Sequence, residues 1–96
     1  MSPKNSKKLN LIRKKLDKLD NELLSLIENR SNLVKEVLKL KEYKKEIVDK
    51  KRISFILTKI KKKSRKLNID PKVTNRIWKN MIWSFIDYER RNFKKK

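Results

Sequence analysis

From Leu9 to Leu40 an apolar side chain returns every three or four residues almost throughout, and no proline or glycine interrupts the run. The positions are Leu9, Ile12, Leu16, Leu19, Leu23, Leu26, Ile27, Leu33, Val34, Val37 and Leu40. That period is helical. It predicts a first helix from about Ser6, as N-cap, to about Tyr43. At ~1.5 Å per residue such a helix exceeds ~50 Å. A compact chain of 96 residues has a radius of gyration of only about 13 Å. The stripe is therefore too long to be covered by two short partners. Either the helix bends, or a second copy of the chain lies along it.

The rest of the chain reads as two more helices. Glu42–Val48 is a polar connection. Asp49 is a good N-cap for a second helix from about Lys50 to Lys66, with Ile53, Ile56, Leu57 and Ile60 on one side. Asn68-Ile69-Asp70-Pro71 then reads as a stop and a new start, with Asp70 as N-cap and Pro71 at the first helical position. The third helix is expected from Pro71 to about Phe93, with Trp78 and Met81 in its core. The expectation is one all-α domain over 1–96, fraying at 1–5 and 94–96.

Composition removes much chemistry. The chain has no Gly, so no glycine-rich loop exists to cradle a phosphate. It has no Cys and no His, which excludes disulfides, thiolate metal sites and every Ser-His or Cys-His nucleophile. An enzyme of this composition works with Arg, Lys, carboxylates and hydroxyls, and no metal or other cofactor is expected. The Leu9-Asn10-Leu11-Ile12 run is too short for a signal peptide. No stretch approaches the ~20 apolar residues of a membrane span, so a cytoplasmic location is expected.

Several charges fall inside the apolar stripes instead of opposite them. Arg30 is three after Ile27, Lys41 four after Val37, Arg52 four before Ile56, and Glu89 four after Phe85. An unpaired buried charge costs several kcal/mol. The eleven-residue step from Arg30 to Lys41 is three helical turns plus ~20°, so both cations share a face about 16 Å apart. Arg13 lies ~25 Å from Arg30 on another face. It reaches such a site only from an antiparallel second copy. The plainer alternative is an internal pair of Arg30 with Glu89 or Asp49, with Lys41 snorkelling to water. Taken together, the stripe charges suggest a buried site for a small polyanion.

The ordered set is Ile12-Arg13-x-x-Leu16-Asp17-x-x-Asp20, then Leu26-Ile27-x-x-Arg30, Val37-x-x-x-Lys41, Val48-Asp49-x-x-Arg52 and Ile69-Asp70-Pro71-x-Val73-x-x-x-Ile77-Trp78. Over roughly residues 9–90 it resembles the all-helical chorismate mutases. The resemblance implies an intertwined homodimer of three-helix chains with two sites. It implies the intramolecular, pericyclic rearrangement of chorismate to prephenate, a step toward Phe and Tyr. By the family pattern, Arg30 and the partner subunit's Arg13 bind the two substrate carboxylates. Lys41 and Glu89 flank the ether oxygen, Arg52 supports a carboxylate, and Asp49 contacts the ring hydroxyl. Ile53 stands where the mutases usually carry Glu, and Phe85 where they often carry a small polar residue. In those two positions the chain is similar to isochorismate pyruvate lyase, which makes salicylate and pyruvate on the same fold. Many members carry Gln at the place of Glu89. A carboxyl there donates to an ether oxygen only when protonated.

The competing reading is a basic helical module for nucleic acid, given a net charge of +19 and the runs Lys61-Lys62-Lys63 and Lys94-Lys95-Lys96. Three features weigh against it. The charge is spread along the whole chain, no binding motif is present, and Lys outnumbers Arg by 23 to 7. Asp17 and Asp20 are read as balancing Lys14, Lys18 or Arg13.

Overall fold

The computed structural model describes residues 1–94. It contains three α-helices, α1 (Pro3–Leu40), α2 (Lys50–Lys66) and α3 (Pro71–Asn92), and a single 3-10 turn at Lys44–Glu46. Lys95 and Lys96, expected to fray, lie outside the described residues. The chain divides into two units, Met1–Leu33 and Val34–Lys96.

The first unit is helix from Pro3 onward. Its cap is Ser2, not the expected Ser6. The Ser2 hydroxyl accepts from the Asn5 amide at 3.2 Å, and the Ser2 carbonyl accepts from the Ser6 amide at 2.8 Å. Serine followed by proline starts a helix well, because the proline ring presets φ and its missing N–H would have had no helical partner. Leu11, Ile12, Leu16, Leu19, Leu23, Leu24, Leu26 and Leu33 are all exposed. Most of the long stripe is thus bare, with Leu9 and Ile27 half-buried.

The second unit holds the core. Ile47, Ile82 and Ile86 are its buried apolar residues, with Val48, Ile53, Ile56, Leu57 and Phe93 packed around them. Ile47 is only 3% exposed, although the Ile47-Val48 pair sits in an otherwise charged run. The chain leaves the α1 axis to seat it. α1 therefore ends at Leu40, three residues before the expected Tyr43, and Tyr43 is extended with φ −122°. The Tyr43 amide donates to Glu46 Oε1 at 3.0 Å, which closes the turn.

α2 and α3 begin where local chemistry directs. Asp49 Oδ1 accepts from the Arg52 amide at 3.0 Å, and Asp70 Oδ1 from the Lys72 amide at 2.9 Å. Between the two helices, Asn68 takes φ 56°. Its amide donates to the Arg65 carbonyl at 3.2 Å, and the Ile69 amide to the Ser64 carbonyl at 2.9 Å. This is a Schellman ending, with asparagine where glycine is usual. The corner is pinned by the Ser64 and Thr74 hydroxyls, 2.7 Å apart and buried. The Ser64 proton goes to the Ile60 carbonyl at 2.7 Å.

Candidate active site

α3 carries its core residues at a four-then-three step. Ile82 and Ile86 are buried, and Glu89 continues the same stripe at 5% exposure. A carboxylate in that position needs a partner. Lys41, one residue past the end of α1, supplies it: Lys41 Nζ donates to Glu89 Oε1 at 3.0 Å. The two side chains keep 17% and 7% of their exposure. The stripe argument thus places Glu89 inside, and Lys41 pairs with it instead of snorkelling to water as in the plainer alternative. Lys41 itself is off the α1 helix, so the helical angle between Arg30 and Lys41 does not hold to its end. Its amide still bonds the Leu38 carbonyl at 3.2 Å, one tight turn beyond Leu40.

Lys41 also borders an open depression of about 500 Å³, lined with Glu46, Val48, Asp49, Lys50 and Lys51. That volume lies in the range of small-molecule sites. Asp49 is exposed, and one of its oxygens is engaged in capping α2. Seating Ile47 in the core carries both Lys41 and Asp49 to this edge. An ammonium has three donors, and Glu89 takes one of them.

Arg52 departs from its expected surroundings. It was placed in the apolar stripe of α2, yet it is exposed, with its guanidinium 5.5 Å from the centre of the Phe55 ring. The stripe of α2 is narrower than the four-residue spacing suggested. Ile53 is half-buried, packs on the core and lines a second depression of about 340 Å³ with Val48, Lys50, Leu57 and Trp83. Phe85 is half-buried on α3, one turn before Glu89. Arg13 and Arg30 belong to the Met1–Leu33 unit, where Arg13 is exposed and Arg30 half-buried. Sequence reading missed Val48 and Lys50, which line both depressions. The apolar pair Ile47-Val48 inside a charged run was the available signal.

The chemistry open to this arrangement is electrostatic. A shielded cation paired with an acid stabilises developing charge without forming a covalent bond. Among the described residues no cluster of three or more Asp or Glu is arranged to hold a metal ion. No helix among them is long and apolar enough to cross a membrane.

The family model for chorismate mutase type II matches residues 12–90. A chorismate mutase of Methanocaldococcus jannaschii is 36% identical over 76 residues, covering 78% of this chain and 77% of that protein. No solved structure gives a significant match.

Proposed function

From the premise that the chain belongs to the chorismate mutase type II family, we propose that Lys41 and Glu89 form the catalytic pair of its site. The protein is a chorismate mutase, an isomerase that converts chorismate to prephenate on the way to aromatic amino acids. One C–O bond breaks and one C–C bond forms within a single molecule, so no atom enters or leaves. The enzyme's task is to fold the substrate so that its ends meet and to stabilise the charge that grows on the ether oxygen.

The observation that carries the residue assignment is the shielded Lys41–Glu89 pair at 3.0 Å. In this reading a free N–H of Lys41 turns to the ether oxygen. Glu89 adds a second donor when protonated. Arg30 and Arg13 of the partner subunit bind the carboxylates, with Arg52 in support, and Asp49 meets the ring hydroxyl across the depression it shares with Lys41. Ile53 and Phe85 give the site its apolar wall. The partner copy is a second chain laid along α1, and the bare leucine row from Leu11 to Leu33 supports it. Soluble monomers rarely leave so large an apolar surface uncovered.

The test is incubation of purified protein with chorismate and, separately, with isochorismate. Prephenate is expected from the first. Salicylate and pyruvate from the second, without prephenate, would move the protein to lyase chemistry. Lys41→Gln keeps a hydrogen bond to Glu89 but loses the charge. It is expected to lower kcat by about 10²–10³, and near-normal turnover would remove Lys41 from the role.

A further inference from the structure

α2 holds nine of the chain's 30 cations and none of its 11 anions. A general lysine bias accounts for many of these cations, and the absence of any acid over the seventeen residues leaves them without a local counter-charge on the helix. Its inner face, Ile53, Ile56 and Leu57, is spent on the core. At 100° per residue, Lys51, Arg52, Lys59, Lys62, Lys63 and Lys66 fall on an arc of about 120° on the opposite side. All six are exposed. None of them takes part in an ion pair among the described residues. Six of the nine cations thus share this arc, and the other three, Lys50, Lys61 and Arg65, lie on the flank beside it.

In the middle of that arc stands Phe55, 55% exposed. Arg52 lies 5.5 Å from its ring centre and Lys59 5.9 Å. We propose that the outer face of α2 binds single-stranded nucleic acid without sequence preference, the lysines holding phosphates and Phe55 stacking a base. The face runs ~22 Å from Lys51 to Lys66, enough for a few nucleotides. A stacked base outweighs an exposed cation–π contact, and the displaced cation turns to the backbone. Five of the six cations are lysines, which act on phosphate as point charges instead of reading base edges. A membrane surface fits less well, because the apolar side of α2 is already buried and one phenylalanine is too little to insert.

The test uses the full chain and a fluorescein-labelled uridine 12-mer, with anisotropy read between 50 and 200 mM salt. Five lysines on five phosphates give a slope of log K against log salt near −3.5. Replacing Lys59, Lys62, Lys63 and Lys66 by Ser should at least halve that slope, with circular dichroism and chorismate turnover unchanged. A control of equal charge, with Lys4, Lys7, Lys8 and Lys94 replaced by Ser, should bind as the parent does. Phe55→Ala should weaken the 12-mer by about tenfold at an unaltered slope, and leave a duplex of equal phosphate count unaffected. The proposal is overturned if both four-lysine variants lose equally, if Phe55→Ala binds like the parent, or if phosphatidylserine vesicles are bound while the 12-mer is not.

Discussion

Replacing Lys41 by Met leaves the Glu89 carboxylate in a shielded position with no opposite charge. Breaking a fully buried pair by removing one partner costs about 3–5 kcal/mol. Glu89 keeps 7% of its side-chain exposure and Lys41 17%, so water relieves part of that penalty, and about 2–3 kcal/mol is expected. For a chain of this size each kcal/mol shifts the melting midpoint by about 4–8 °C, so Lys41→Met should fall by roughly 10–20 °C. The other partner behaves differently. Glu89→Gln removes the charge but keeps an oxygen that accepts from Lys41, whose ammonium still reaches water; the cost should stay under about 1 kcal/mol. Lys41→Met combined with Glu89→Leu removes both charges and should recover most of the loss. Urea unfolding of the parent, Lys41→Met, Glu89→Leu and the pair of these together, at one fixed concentration, completes a double-mutant cycle. If Lys41→Met unfolds within about 0.5 kcal/mol of the parent, Glu89 is not shielded and the reasoning from burial fails.

Other outcomes follow from the same geometry. Because Glu89 gives a hydrogen bond to the ether oxygen only as the acid, while a glutamine amide donates without taking up a proton, Glu89→Gln should keep or raise kcat; a large loss of turnover in that variant would contradict the role. At Asn68, held at φ 56°, Ala should cost about 1 kcal/mol, while Gly should be neutral or stabilising, measured by urea midpoint. Lys at Leu16, Leu19 and Leu23 together should shift the sedimentation mass to that of one chain and abolish turnover; an unchanged mass would refute pairing along α1.

The legible parts of the fold were those set by neighbours in sequence. α2 and the start of α3 fall where Asp49, Asp70 and Pro71 put them, since a capping oxygen acts within three residues of itself. Glu89 was legible as an inward charge because α3 keeps its period to the end. The two ends of α1 were not. Ser2-Pro3 outcompetes Ser6 at the beginning, and the far end is decided by Ile47 seeking the core, a tertiary contact that no local pattern encodes. For the same reason Ile47 read as loop and is the least exposed apolar residue of the core. Arg52 shows the converse error. Four residues from Ile56 is close enough to look internal, but the exposed Phe55 ring draws the guanidinium outward.

If a second copy covers the bare leucine row of the first thirty-three residues, as proposed, output is tied to abundance. A catalyst that must borrow an arginine from a sister molecule loses activity per milligram on dilution, while each chain's own Ile47 core stays intact. Near the dissociation constant, halving the copy number removes more than half of the working centres. Supply of prephenate would then respond to expression more steeply than in proportion, with no effector bound anywhere.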